Sequence, residues 1–172
     1  MIREARRGDA AQIAAIWNRA IRDTAITFNA DEKPVGEIAE LIAARRAAGH
    51  AFLVEDAGGA VAGFATSFQF RGGSGYRHSL EYTVMLEEHA RGRQRGRALL
   101  AALEARARAA GAHTLWAGVS AENPGGIGFH RACGFEEVAV LAEVGFKFGR
   151  WMDLVLFRKG LQRGCGQPGA AP

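Results

Sequence analysis

Residues 87–111, EEHARGRQRGRALLAALEARARAAG, decide how this chain is read. They run from the end of an alternating apolar stretch, HSLEYTVML (78–86), into an amphipathic run that Gly111 closes. Between the two lies a loop of Arg91, Gly92, Arg93, Gln94, Arg95, Gly96 and Arg97. Glycine lets backbone approach a bound anion closely. A helix N-terminus presents unpaired N–H groups and roughly half a positive charge, and arginines add bidentate donors. Together these parts make a cradle for a pyrophosphate. A solvated basic face at a helix start is the competing reading.

Upstream, IREARRGD reads as a short strand and a helix start with Asp9 as N-cap. AAQIAAIWNRAIRD places Ile13, Ile16, Trp17 and Ile21 on one helical face. Pro34 introduces a second helix with Ile38, Leu41 and Ile42 inward and Gly49 at its end. The period then changes: AFLVED and AVAGFATSFQF are strands joined by AGG, a hairpin signal, and RGGSG (71–75) is a loop. Downstream of the long helix come a strand (HTLWAGVS), a turn with a short helix (NPGGIGFHRACG), and two strands (EEVAVLAEV and GRWMDLVLFRK). The order β-α-α-β-β-β-α-β-α-β-β predicts a mixed α/β sheet with helices on both faces. With no repeat and no linker, residues 1–160 read as a single domain and residues 161–172 as a flexible tail.

Length and composition fit this reading. The chain has 172 residues, 48% hydrophobic and 23% charged, enough for a core without staples. Its net charge of +4 is too mild to argue for nucleic acid, and an arginine loop without aromatics is a poor base-stacking surface. Cys133 sits in an apolar stretch and Cys165 in the Gly-rich tail, so neither a disulfide nor a metal site is expected. No apolar run approaches the roughly 20 residues that span a bilayer, and no apolar leader opens the chain. A reduced, cytoplasmic protein without membrane or nucleic-acid partners is the expectation.

The 91–97 loop resembles the coenzyme A loop of the GNAT acetyltransferases, Arg/Gln-x-x-Gly-x-Gly/Ala. Arg91 fills its first position and Gly96 its last, with Gln94 in place of the middle glycine. TAITF (24–28), FR (70–71), YRHSLE (76–81), NPGGIGFHRACGF (123–135) and VGFKFGRWMDLVL (144–156) are similar to the phosphinothricin/methionine sulfoximine acetyltransferase branch, and the likeness runs from about residue 2 to 158. It implies a mostly antiparallel GNAT sheet, splayed between its fourth and fifth strands, with acetyl-CoA as cosubstrate. Val84, Met85 and Leu86 of the fourth strand, the 91–97 loop, and Asn123, Gly126 and His130 would contact the cofactor; Gly126 stands where the pattern has serine.

The resemblance also makes Glu81 the general base, taking a proton from the acceptor amine directly or through one water. A surface glutamate is the alternative. His130 is either the acid for the departing thiolate or a core histidine. Thr27, Phe28, Arg71, Tyr76, Arg77, Glu81 and Lys147 would line the acceptor site, the arginines capturing a carboxylate or phosphinate. A basic surface hairpin is the bland reading of Arg71 and Arg77. Trp151 reads as core or interface, Cys133 as packing. A homodimer acetylating the α-amine of a small amino-acid analogue is expected. Other amine acceptors (polyamine, aminoglycoside, protein N-terminus) and a catalytically weak coenzyme A-binding protein are the alternatives.

Overall fold

The computed structural model describes residues 1–161, so Cys165 and most of the expected tail lie outside the described residues. Leu161, read as the first tail residue, instead belongs to the core. It is buried, and its N–H donates to the His113 carbonyl at 2.8 Å.

Strand β1 (Ile2–Glu4) leads through a 3₁₀ turn into helix α1 (Ala10–Asp23), whose Ile13, Ile16, Trp17 and Ile21 are buried on one face. Asp9 does not cap this helix with its side chain. Its carboxylate accepts from the Arg6 N–H at 2.7 Å and from the Arg3 guanidinium at 2.8 and 2.9 Å, fixing the entry to the helix from outside. Helix α2 (Val35–Ala47) starts after Pro34 and stops before Gly49, whose φ of +72° suits glycine.

Strands β2 (Phe52–Asp56), β3 (Val61–Gln69) and β4 (Ser79–Leu86) form an antiparallel meander. Helix α3 (Arg95–Ala109) then carries the chain to β5 (Thr114–Ser120), which lies parallel to β4. Helix α4 (Pro124–Ala132) leads to a hairpin of β6 (Glu136–Lys147) and β7 (Arg150–Gly160). The described residues form one seven-stranded sheet, ordered β1-β2-β3-β4-β5-β7-β6. Every element read from the sequence is present in that order.

Alternation along the strands divides two cores. Leu53, Ala65, Leu80, Tyr82, Leu115 and Phe157 face α3 and α4. Phe52, Val54 and Phe64 face α1 and α2, where the Phe64 ring lies 5.0 Å from Trp17. Helices thus cover both faces, as a sheet with two apolar faces requires. The hairpin is the exception. Trp151 is not core but 60% exposed, together with Val144, Phe146 and Phe148.

The sheet has one break. β4 and β5 pair only at Ser79–Thr114, Leu80–Leu115 and Glu81–Trp116 among the described residues. Beyond that rung β4 continues on β3 to Leu86, and β5 continues on β7 to Ser120. The two halves of the sheet therefore diverge past Glu81, the splay expected from the resemblance.

The β3–β4 contact is tight at the open end. A Cβ on Gly63 would strike the Leu86 side chain and lie 2.8 Å from the Met85 carbonyl oxygen. Gly63→Ala is expected to cost about 1–3 kcal/mol by overpacking. Gly72→Ala, where a Cβ meets nothing within 4 Å, serves as the neutral control. Urea denaturation of the two variants checks this, and equal stability would contradict it.

Candidate active site

Backbone direction in the split follows from the antiparallel pattern. Ser79 turns its carbonyl to β3, where it accepts from the Phe70 N–H at 2.9 Å, and the Glu87 N–H donates to Ala62 on the same side at 2.9 Å. Strand alternation then turns the amides of Glu81, Thr83 and Met85 toward β3. It leaves those of Val84 and Leu86 facing the gap that β5 has vacated. An amide-rich chain such as a pantetheine arm can complete this unfinished ladder.

The N-terminus of α3 opens at the same end. The Ala98 N–H donates to the Gln94 carbonyl at 3.0 Å, which leaves the N–H groups of Arg95, Gly96 and Arg97 as the unsatisfied first turn. Gly96 lets the helix seat closely, since a Cβ there would lie 3.2 Å from Leu86 and 3.4 Å from Phe129. Gln94 is in the left-handed region at φ 59°, and Gly92 at 72°. The motif's glycine therefore marks a genuine backbone requirement, and Gln94 meets it at a conformational cost of roughly 1 kcal/mol or more. The loop's arginines divide. Arg91 and Arg93 are exposed at the helix mouth. Arg95 is held by Glu55 at 3.3 Å, and Arg97 leans on the Ala132 carbonyl at 3.4 Å.

Asn123 caps α4, its side-chain oxygen accepting from the Gly126 N–H at 2.8 Å. A Cβ on Gly126 would lie 2.8 Å from Asn123 Cγ and 3.1 Å from Val119, so a serine here requires the Asn123 side chain to shift.

Glu81 stands on the other face of the sheet, the α1/α2 side, at the last rung before the split. Phe68 is its partner on β3 and Trp116 its partner on β5. The Phe70 and Trp116 rings stack across β4 at 4.7 Å, and the Trp116 Nε1–H donates to Thr114 Oγ1 at 3.2 Å, which fixes the indole. Burial among these rings raises the Glu81 carboxyl above the usual glutamate range.

The 71–78 loop closes this end. The Gln69 amide donates to the Arg71 carbonyl at 2.5 Å and to the Gly73 carbonyl at 2.9 Å, and Arg71 lies over the Phe70 ring at 5.8 Å. The Arg77 Nε–H donates to His78 Nε2 at 2.9 Å, which requires the proton on His78 Nδ1, where the Gly111 carbonyl accepts at 2.8 Å. Arg71, Tyr76 and Arg77 remain exposed.

The sequence profile of the acetyltransferase (GNAT) domain matches residues 2–156. The chain belongs to the GNAT acetyltransferase family. It is 37% identical to a Pseudomonas paraeruginosa L-methionine sulfoximine/L-methionine sulfone acetyltransferase, covering 93% of this chain and 94% of that protein. The structure of the acetyltransferase yncA from Salmonella typhimurium with acetyl-CoA superposes with a TM-score of 0.92 at 32% identity, covering 99% and 98% of the two chains. A ribosomal-protein-alanine N-acetyltransferase from Brucella melitensis superposes at 0.90 with 38% identity, over 93% and 99%. Acetyl-CoA is thus the cosubstrate, and the open amides of Val84 and Leu86 with the α3 N-terminus fit its amide arm and pyrophosphate.

Within this GNAT framework four expected site residues move. Met85 turns its amide to β3 and packs its side chain against the α1/α2 core, so it does not face the cofactor gap. Arg95 is engaged by Glu55. His130 is a core histidine: its Nδ1–H donates to the Gly126 carbonyl at 2.7 Å, and its ring stacks on Phe157 at 5.3 Å. Burial lowers its pKa and so favours the neutral ring. Lys147 is buried, and its Nζ donates to the Thr24 and Thr27 carbonyls at 2.8 and 2.9 Å instead of opening to an acceptor.

Trp116, which the sequence reading does not single out, pairs with Glu81 at the last rung and stacks on Phe70. It falls out of phase with the buried Leu115, Ala117 and Val119, and that alternation was the available signal.

The Gln94 conformation sets a test. Gln94→Gly is expected to bind acetyl-CoA at least as tightly as the parent, whereas Gln94→Val, β-branched at positive φ, loses about tenfold, or ~1.4 kcal/mol. Calorimetric titration reads this, and equal affinities across the three would contradict it.

Proposed function

We propose that this GNAT enzyme acetylates the α-amine of a small anionic amino-acid analogue of the methionine sulfoximine, methionine sulfone or phosphinothricin type. Glu81 is the general base. The observation that carries this is the placement of Glu81: a half-buried carboxylate of raised pKa at the last β4–β5 rung, next to the point where the cofactor ladder opens. The acceptor enters from the α1/α2 face and the cofactor from the α3 face, so the amine meets the thioester across the split. The Val84 and Leu86 amides lie where charge develops on the thioester oxygen. Arg71 and Arg77 take the acceptor's acidic group, Arg77 being aimed by His78. Thr27 and Phe28 form the wall.

The P. paraeruginosa relative supports this acceptor class. The Brucella ribosomal-protein-alanine enzyme favours a second reading, a protein N-terminus as acceptor. Thiol release from acetyl-CoA with the three analogues, spermidine, an aminoglycoside and an Ala-initiated peptide separates them. Turnover confined to the analogues is expected, and turnover of the peptide alone would overturn the acceptor class.

A carboxylate works as base only when ionised. Because burial raises the Glu81 pKa, kcat/KM is expected to fall with decreasing pH at a higher pH than an ordinary glutamate would give. Glu81→Gln should remove that acidic limb and lower kcat by about 10²–10⁴. A variant with the parent's rate and pH profile would sink the assignment.

Residues 1–160, with Leu161 added to the core, act as one catalytic domain in the cytoplasm, and as a homodimer. The β6 edge and its hairpin expose Val138, Val140, Leu141, Val144, Phe146, Phe148 and Trp151, and a second copy offers the matching surface under two-fold symmetry. Trp151→Glu is expected to halve the mass measured by light scattering. A parent protein that already runs as a monomer would contradict the dimer.

A further inference from the structure

The Thr24–Phe28 segment connects the two halves of the split sheet. Its near end leaves α1, which is held to the end of β4 by the Arg19–Glu87 ion pair at 2.5 Å. Along its length it meets the hairpin, where the Lys147 Nζ donates to the Thr24 and Thr27 carbonyls at 2.8 and 2.9 Å. Beside it the Phe28 ring lies against Gly145 so closely that a Cβ there would come within 2.5 Å of the ring. Past Glu81 no β4–β5 hydrogen bonds among the described residues hold the halves together, so this segment bridges them on the acceptor face.

Lys147 is only 5% exposed and makes no ion pair among the described residues; its ammonium rests on the two carbonyls and the Phe148 ring at 4.9 Å. A buried ammonium is costly unless its donors are used, and here two carbonyls use them. Burial lowers its pKa.

We propose that Lys147 is a positioning residue for acetyl transfer. It ties the Thr24–Phe28 segment to the hairpin on the acceptor face and so fixes the acceptor wall, without touching the acceptor. This rests on the acceptor site proposed above.

The test compares Lys147→Met, which keeps the apolar stem and removes the donors, with Lys147→Arg, which keeps donors and charge. Lys147→Met is expected to raise the KM of whichever amine the parent turns over by about tenfold, with kcat and acetyl-CoA affinity changed by less than about threefold. Lys147→Arg should recover most of the loss. Amide exchange of a peptide spanning residues 24–29, measured without substrates, should quicken in Lys147→Met. If Lys147→Met does not fold, Gly145→Ala applies the same two readouts from the Phe28 side.

Unchanged exchange overturns the tie. Faster exchange with an unchanged acceptor KM overturns the positioning role, as does a parallel loss of acetyl-CoA affinity. The base assignment fails separately, through a fully active Glu81→Gln, and exchange of the 24–29 peptide does not depend on it.

Discussion

Past Glu81 the fourth strand has a hydrogen-bonding partner on one side only, because the β4–β5 ladder stops at the Glu81–Trp116 rung. Unpaired backbone inside a sheet is unfavourable unless a ligand or water completes it. The rest of the molecule is arranged around that break. The antiparallel strands β1–β4 hold one side and the β5-β7-β6 group the other. Gly63 and Gly96 allow β3 and α3 to close tightly on Leu86, so the strand end stays fixed although one edge is open.

Because strand side chains alternate, the same break separates the chemistry between two faces. Tyr82, Val84 and Leu86 point toward α3 and α4, while Glu81, Thr83 and Met85 point toward α1 and α2. A cosubstrate lying in the gap along the backbone is thereby reached from both sides, with N–H donors at the α3 N-terminus and the Glu81 carboxylate on the opposite face. Charge is partitioned in the same way. Arg91 and Arg93 stand at the helix mouth, and Arg71 and Arg77 at the β3–β4 turn, beyond the aromatic stack beside Glu81. The carboxylate is desolvated by burial and has no cation within hydrogen-bonding reach among the described residues, so its pKa rises where a guanidinium would have lowered it.

Most of the fold was legible because it is written in local periodicity. Ile13, Ile16, Trp17 and Ile21 give one helix face, and Leu80 and Tyr82 flanking Glu81 give the strand phase. What was not legible depends on contacts distant in sequence. Lys147 bonds to Thr24, 123 residues away, and Arg95 pairs with Glu55 across two elements; local sequence carries no trace of either partner. Gln94 raised the right question without its answer, since only the backbone shows that φ is positive. His130 balanced between two roles until its packing against Phe157 placed it in the core. Trp151, read as core or interface, projects from an edge hairpin where a one-chain view leaves it exposed.

The central claim is that acetyl-CoA completes the ladder β5 abandons, through amides fixed by strand alternation. Residue-resolved amide exchange of β4, with and without saturating acetyl-CoA, tests it most directly. Protection should rise at Val84 and Leu86 and stay nearly constant at Thr83 and Met85, whose amides already face β3. Uniform protection along β4, or none at Val84 and Leu86, would contradict the account.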